Sequence, residues 1–375
     1  MDAAPPQHPH TPRDKDPHDV DLDVEIDIEI VRGAPTSAQF EALNDLARSA
    51  EQADGNPPYS EQTLIELQQA IGTAAQDTAA QTNAPQAVSD TTSGTTSSTT
   101  SGAEAPLEIA YAWTRDGERL LAGAGVVVLG DGGHSQDSSP DVLELVVRPS
   151  YRQHGIGTQL VDALHKGPLS PETGRLRRAW AHGEHDAVAP LSARFGWAPI
   201  RELQRLRLST PEDVPEAELP ESVTIRSFEP GRDDEAWLMA NAAAFADHPE
   251  QGHLTLEDLH SRMAEDWFDP SGFLLAEENG ELLGFHWTKV HPRDPEEGRD
   301  EALGEVYVVG VVPEAQGRGL GKALTLAGIE HLHRRGLRAI MLYVDADNTA
   351  AVELYRRLGF TRWDVDIMYA PAPHR

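Results

Sequence analysis

The spacing of apolar and polar residues predicts alternating strands and helices along most of the chain. Residues 19–31, DVDLDVEIDIEIV, alternate acidic and apolar side chains with period two, which is typical of a half-buried strand. Residues 35–71 predict two helices around DGNPPYSEQ, and the strand-like runs LEIAYAWT and RLLAGAGVVVLG follow later. The acids of the first strand do not converge, so we interpret them as a solvated face rather than a metal site. The pattern as a whole predicts an α/β fold.

Three stretches interrupt this pattern and suggest the domain limits. Residues 1–20 are rich in Pro, His and Asp, and residues 72–105 in Ala, Gln, Ser and Thr, so neither stretch can bury enough apolar surface to order itself. Residues 209–221 combine prolines with acids, as in interdomain linkers. We therefore predict a disordered tail (1–20), a first domain (21–208) with a low-complexity insert (72–105), a linker (209–221) and a second domain (222–375).

The two predicted domains share an internal repeat. LELVVRPSYRQHGIG matches EVYVVGVVPEAQGRGLG at an offset of 164 residues, and HDAVAPLSARFGW matches NTAAVELYRRLGF at an offset of 163. Two separate blocks at nearly one offset indicate a tandem duplication of an α/β unit.

Composition and charge exclude several functions. Acids outnumber bases 62 to 31 and the formal net charge is -31, which disfavours nucleic acid and anionic membrane as partners. The chain has no cysteine, hence no disulfide or thiolate nucleophile. The start of the sequence lacks the pattern of a signal peptide and no apolar run is long enough to span a bilayer, so we expect a cytoplasmic protein. No complete metal-ligand set is visible among the histidines singled out in the second half, so we expect no metal: His248, His253, His260, His331 and His333.

Each repeat carries a short glycine-containing turn between an apolar strand and a helix. The amides at a helix N-terminus bind anions, and glycine lets a diphosphate approach the backbone. The nucleotide motif G-x-x-x-x-G-K-[ST] is absent, and the spacing differs from the dinucleotide motif G-x-G-x-x-G. The pattern present is Q/R-x-x-G-x-G, which resembles the acetyl-CoA loop of the GCN5-related N-acetyltransferases. For one copy an ordinary glycine turn is an equally simple interpretation, but a duplicated copy favours the family.

This resemblance implies two tandem domains of that family, each with a mixed α/β sheet that splits beside the loop, and acetyl-CoA as the acetyl donor. In the second copy the implied cofactor-binding residues are Val309, Gly310, Val311, Gln316, Gly317, Arg318, Gly319, Leu320, Gly321, Lys322, Asn348, Thr349, Ala350, Ala351, Val352 and Glu353. In the first copy they are Leu145, Val146, Val147, Arg152, Gln153, His154, Gly155, Ile156 and Gly157.

Glu305 is the candidate general base of acetyl transfer. It begins the strand EVYVVGVV, and strict alternation places it on the face of Tyr307, Val309 and Val311. A carboxylate at this position can take a proton from an amine directly or through water. Without the motif, a solvated acid at a strand end would be an equally good interpretation.

Tyr355 is the candidate general acid. It lies in NTAAVELYRRLGF, a short predicted helix that Asn348 caps and Gly359 ends. Its helical face also carries Val352 and Leu358, so the simpler interpretation is a core aromatic. The resemblance implies instead that Tyr355 protonates the departing CoA sulfur.

The first copy lacks both groups in the sequence alignment. Asp141 aligns with Glu305, and Ser192 aligns with Tyr355. We therefore predict that the first domain is inactive in acetyl transfer, while its loop still has the form of a cofactor cradle.

Further stretches, including NAAFADHPEQG, LLGFHWTKVHP and GNPPYSEQ, resemble tandem family members that acetylate the cysteine α-amine of cysteinyl-glucosaminyl-inositol. That resemblance implies a small-molecule acceptor and substrate-binding residues at Glu61, Glu250, Lys289, Glu305 and Tyr343. We also expect a monomer. Glu61 belongs to the first domain, so the inactive copy would line the acceptor cleft. The alternatives are another amine, such as an aminoglycoside or a protein N-terminus, and a non-catalytic acetyl-CoA-binding module.

Overall fold

The structure is a computed structural model that describes residues 25–82, 107–115, 117, 119–130, 139–209, 214–246, 251–293 and 301–372, with the backbone alone for 75–82. The first half contains β1 (Ile26–Arg32), α1 (Ser37–Asp54), α2 (Glu61–Thr82), β2 (Leu107–Thr114), β3 (Leu121–Val128), β4 (Asp141–Val147), α3 (Ile156–Leu164), β5 (Arg177–His182), α4 (Val188–Arg194) and β6 (Trp197–Ser209). The second half contains β7 (Thr224–Ser227), α5 (Asp234–Ala244), α6 (Leu256–Met263), β8 (Phe273–Glu278), β9 (Glu281–His291), β10 (Leu303–Val311), α7 (Leu320–Arg334), β11 (Ala339–Asp345), α8 (Thr349–Arg357) and β12 (Thr361–Pro371).

The two halves exchange their last strands within one mixed sheet. The strand order is β1-β2-β3-β4-β5-β12-β6-β11-β10-β9-β8-β7. β6, from the first half, pairs with β11 of the second half, and β12 pairs with β5 of the first. β6 and β12 pair with each other at the centre. The predicted division at 209–221 therefore does not separate two independent sheets.

Helices cover both faces of the sheet. On the face that we call the front, α1 packs with α2 on the first half, and α5 packs with α6 on the second. On the back face, α3 and α4 cover the first half and α7 and α8 cover the second. Between the two helix pairs the front face carries polar side chains, and this gap is where the candidate site lies.

Most sequence-based elements are present, with one clear difference. The two helices predicted in residues 35–71 are α1 and α2, and the alternating segment forms β1 over the residues that the structure describes. Helix α2 continues to Thr82, past the predicted start of the insert at Gly72. Ala and Gln favour helix, so the Ala/Gln-rich part of that segment extends α2. The predicted tail and residues 83–105 of the insert lie outside the described residues.

Candidate active site

The sheet splits beside the loop of the second half. β10 pairs in parallel with β11 only over Gly304–Val306, although the strand continues to Val311. Its other edge stays paired with β9 as far as Val311. The backbone of Val309, Gly310 and Val311 thus has no β11 partner on the side of the split, as the resemblance implies for a strand that receives pantetheine.

The loop that follows has an open backbone surface. The side-chain amide of Gln316 donates to the carbonyl of Val311 at 3.2 Å, which ties the turn to the end of β10. Gly317 and Gly319 have φ of 77° and 83°, a region that favours glycine, and Gly319 is the N-cap of α7. A side chain at either glycine would meet no protein atom within 4 Å, so the surface above the loop is open. The Arg318 guanidinium contacts Glu278 at 2.8 Å at the side of this loop.

The first half contains the same strand split and loop. β4 pairs with β5 only over Asp141–Glu144 and then diverges. Arg152 donates to the carbonyl of Val147 at 3.0 Å, as Gln316 does to Val311 in the second half. Gln153 and Gly155 have φ of 67° and 76° before α3 begins. The two loops therefore share a backbone conformation, with Arg152 additionally held by Asp54 at 2.6 and 2.7 Å.

Tyr355 lies on α8, at the back of the split. The side chain of Asn348 accepts from the backbone N–H of Ala351 at 3.1 Å and begins the helix as expected. The Tyr355 ring is buried in the core under α7 and α8 and meets Phe360 edge-on at 5.6 Å. Burial raises the pKa of Tyr355 above its ordinary value, so the phenol keeps its proton. The ring of Tyr355 therefore packs in the core, and its hydroxyl is protonated. Packing in the core and action as a general acid are compatible.

Glu305 lies on the front face of β10 in the polar gap. It is buried, and its Oε2 lies 2.6 Å from Nε2 of His291 at the end of β9. Burial alone would raise the pKa of Glu305, but the hydrogen bond from His291 and the charges of His291, Lys289 and Arg205 together lower it below its ordinary value. The carboxylate is therefore ionised and can accept a proton.

Lys289 joins Glu305 to the first half of the chain. It pairs directly across the strands with Glu305. Its Nζ contacts Oε1 of Glu61 at 2.7 Å and lies 4.4 Å from the centre of the Trp267 ring. Glu61 is the first residue of α2. Glu61, Lys289 and Glu305, predicted from separate halves, are thus brought together.

Tyr343 lies in the same row of side chains on β11. It pairs across the strands with Arg205 of β6, and burial raises its pKa above the ordinary value. Glu250 lies outside the described residues. Within the part of the chain that the structure describes, no group of three or more His, Asp or Glu side chains could hold a metal ion.

One expectation about Glu305 is wrong. A β-bulge in β10, between Val306 and Val308, interrupts the alternation of side chains. Val308 packs with the front-face cluster that includes Tyr307, whereas Val309 and Val311 pack on the back face. Glu305 therefore does not share a face with Val309 or Val311.

The same bulge overturns the alignment of Asp141 with Glu305. In the parallel strand pairs, Glu305 lies opposite Met341, and Val142 lies opposite Arg178. Arg178 and Met341 are equivalent positions of the two halves, because they are 163 residues apart and this is the offset of the downstream repeat. The structural counterpart of Glu305 is therefore Val142. Asp141 instead binds Arg175 at 2.5 and 2.7 Å in a buried ion pair.

Three further polar groups near the site were not found from the sequence. His182 lies between Glu144 and Asp366, with each ring nitrogen 3.1 Å from a carboxylate oxygen. Burial opposes its protonation, but the hydrogen bonds that the ring donates to both carboxylates, together with their charges, raise the pKa of His182 to about 10. Glu144 also accepts from the backbone N–H of Ser60 at 2.9 Å, immediately before Glu61. Two carboxylates and a histidine from three strands converge here only because β12 lies beside β5, which no local pattern indicates.

Comparison with known proteins places this geometry in a family. The sequence profile of the Acetyltransferase (GNAT) family matches residues 81–184 and 237–360. A tandem GNAT protein from the clavulanic acid biosynthesis pathway superposes with a TM-score of 0.61 at 17% identity, covering 93% of this chain and all of that one. A GCN5-related N-acetyltransferase from Sphaerobacter thermophilus superposes with a TM-score of 0.59 at 22% identity, covering 92% and 97% of the two chains. The predicted fold of two tandem acetyltransferase units is confirmed.

Relatives of similar sequence indicate the subgroup of the family to which the chain belongs. The mycothiol acetyltransferase of Paenarthrobacter aurescens is 50% identical over 348 residues, covering 91% of this chain and 95% of the relative. The mycothiol acetyltransferase of Thermobispora bispora is 47% identical over 334 residues, covering 89% and 96%. The chain belongs to the GNAT family and, within it, to the mycothiol acetyltransferases. It is therefore an acyltransferase enzyme.

Proposed function

We propose that the second half of this chain transfers the acetyl group of acetyl-CoA to the cysteine α-amine of cysteinyl-glucosaminyl-inositol, giving mycothiol and CoA. The observation that carries the proposal is the contact of Glu61 with Lys289 beside Glu305, because it closes one acceptor cleft from both halves of the chain. The names of the relatives supply the substrate, and the arrangement of charges is consistent with it.

The residues of the second half suit acetyl-CoA. The unpaired edge of β10 offers backbone N–H and C=O groups to the pantetheine amides. The amides from Gln316 to Lys322 face an open surface at the start of α7, where the helix dipole favours a pyrophosphate. When bound, acetyl-CoA supplies the activated acetyl thioester.

The acceptor cleft suits a small polyhydroxylated amine. Glu61 and Glu305 are carboxylates that attract an ammonium group and accept hydrogen bonds from sugar hydroxyls. Lys289 can donate to those hydroxyls. An α-amine has an ordinary pKa of about 8 and needs only a weak base such as Glu305, whereas a lysine side chain near 10.4 would demand more.

The proposed mechanism assigns one proton transfer to each end of the site. On the front face, Glu305 takes a proton from the substrate ammonium and leaves a nucleophilic amine. At the back of the split, Tyr355 donates its hydroxyl proton, or a hydrogen bond that strengthens as charge develops, to the departing sulfur. The cofactor-binding, substrate-binding and acid–base roles named for individual residues are all part of this proposal.

The test is acetylation of cysteinyl-glucosaminyl-inositol by the purified full chain, set against a panel of aminoglycosides and peptide N-termini and read by mass spectrometry. We expect selective N-acetylation of the cysteine amine, with the Glu305→Gln variant as the inactive control. Acetylation of other amines alone would retain the mechanism but overturn the acceptor. Binding of acetyl-CoA with no turnover on any amine would favour a non-catalytic module.

A further inference from the structure

Acetyl transfer to an ammonium group produces a proton that must leave the active site. This inference rests on the proposed acetyl transfer to an ammonium group. Such a substrate loses two protons: one ends on the CoA sulfur when the C–S bond breaks and the C–N bond has formed, and the other must reach bulk water in every turnover. The proton accepted by Glu305 is therefore not consumed and has to leave the protein.

Glu305 cannot release this proton easily by itself. Only 8% of its side chain is exposed. Lys289 and Arg205 face it as cations, which have no free lone pair to accept a proton while charged. Tyr307 and Tyr343 lie on the same face, and burial raises the pKa of both, so these phenols hold their own protons. Glu61 contacts Lys289 and not Glu305 in the structure.

Among the described residues that face Glu305, His291 is the remaining neighbour, and it differs from the others. Its Nε2 lies 2.6 Å from Glu305 Oε2, so a single proton can be shared between the two atoms. Its side chain is 24% exposed, three times the exposed fraction of Glu305. Histidine is the usual side chain for moving protons near neutral pH, because imidazole has both a donor and an acceptor nitrogen.

We propose that His291 positions the Glu305 carboxylate and is the outlet through which its proton reaches solvent. The ammonium N–H bond breaks and the proton moves to Glu305. His291 accepts the proton in its neutral form, with Nδ1 protonated and the lone pair of Nε2 toward Glu305 Oε2. The proton passes from Oε2 to Nε2, and the imidazolium so formed is the state that donates Nε2–H to the Glu305 carboxylate. It releases one proton to water and exchanges protons with water until Nε2 is free again for the next turnover. Glu305 returns to its carboxylate form and the charge of the pair is unchanged over the cycle.

The experiment measures CoA release by the full chain and by two variants in dilute buffer. His291→Gln keeps a hydrogen-bond donor but cannot relay a proton, and His291→Ala leaves space for free imidazole. We expect kcat to fall about 10- to 100-fold in both variants, and added imidazole to restore kcat several-fold in His291→Ala only. His260→Gln is the matched control, because His260 also binds a carboxylate, Asp234, at 2.8 Å but does not contact Glu305.

Three outcomes decide the proposal. Imidazole rescue of His291→Ala that is absent from Glu305→Gln supports it. A normal kcat in His291→Gln overturns it, because a simple hydrogen-bond donor would then suffice. Failure of imidazole to rescue a His291→Ala protein that unfolds at the wild-type temperature also overturns it. The assay uses whichever primary amine the wild type acetylates, since the proton count is the same, so failure on cysteinyl-glucosaminyl-inositol alone counts against the proposed acceptor and not against His291.

Discussion

The two halves of the chain share one strand–turn–helix and differ in the side chains beside it. In both halves a parallel pair of strands diverges, a side chain donates to the last carbonyl of the strand, and a residue with positive φ precedes a helix. These features depend on the backbone and a few glycines. These backbone features do not require the proposed acid and base, so both halves can have them.

The proposed chemistry depends on side chains of the second half that the corresponding positions of the first half do not carry. Glu305 and Lys289 lie opposite each other across β10 and β9, and the corresponding pair across β4 and β3 is Val142 and Val128. Tyr355 on α8 corresponds to Ser192 on α4, whose hydroxyl donates to the carbonyl of Val188 within its own helix at 2.7 Å. In the proposed function the first half supports the acceptor site, because Glu61 at the start of its α2 contacts Lys289.

The largest expected difference between the halves concerns the two buried acids. Glu305→Gln removes the proposed base and should lower kcat about 100-fold or more, and it should also lower stability because it removes the charge that pairs with His291. Asp141→Asn should leave kcat near wild type and lower stability, because it breaks the buried ion pair with Arg175. Steady-state kinetics with thermal melts measures both. Equal losses of kcat in the two variants would contradict the division of roles.

The second comparison is Tyr355→Phe against Ser192→Ala. Removal of the Tyr355 hydroxyl should lower kcat about 10- to 100-fold and leave the KM for acetyl-CoA unchanged, because the ring still fills its core position. Ser192→Ala should leave kcat and KM unchanged, since the Ser192 hydroxyl donates to the Val188 carbonyl within α4. CoA-release kinetics decides the outcome. Unchanged turnover in Tyr355→Phe would leave only the core-packing interpretation.

The third comparison tests whether the first half lines the acceptor cleft. Glu61→Gln should raise the KM of the amine about tenfold, the loss expected for one charged hydrogen bond, with a smaller effect on kcat. Glu66→Gln on the same helix is the matched control, because Glu66 accepts only from Gln62 at 2.8 Å among the contacts seen. An unchanged KM in Glu61→Gln would confine the site to the second half.

The smallest expected effect is on the pH dependence of stability. Because the folded protein raises the pKa of His182 to about 10, its contribution is fully present below about pH 6.5 and is lost as pH rises toward 10. The stability advantage of the wild type over His182→Gln should therefore shrink between pH 6 and pH 9.5 in urea melts. Burial lowers the pKa of His165, so the advantage of the wild type over His165→Gln should instead grow as pH rises toward about 6.5 and then stay level. If the stability advantage of the wild type over His182→Gln grew with pH, the positive charge assigned to His182 would be wrong.

Local patterns in the sequence determined the elements and the loop. Alternation predicted the strands, the cap at Asn348 and the glycine spacing predicted the starts of α8 and α7, and the duplicated motif predicted the acetyltransferase fold. Glu61, Lys289, Glu305 and Tyr343 were selected through resemblance. Such features are visible in a sequence because they depend on neighbours a few residues apart, or on motifs that recur in a family.

Tertiary structure decided the rest. The bulge in β10 adds one residue to the strand, and a one-residue shift moves every following side chain to the other face, so sequence alignment paired Asp141 with Glu305 although Val142 takes that place. The contact of His291 with Glu305 depends on the register of two strands. The cluster of Glu144, His182 and Asp366 depends on the exchange of the last strands between the halves, since residues 184 positions apart meet only when β12 lies beside β5. A sequence records which side chains are available, and the pairing of distant strands decides which of them meet.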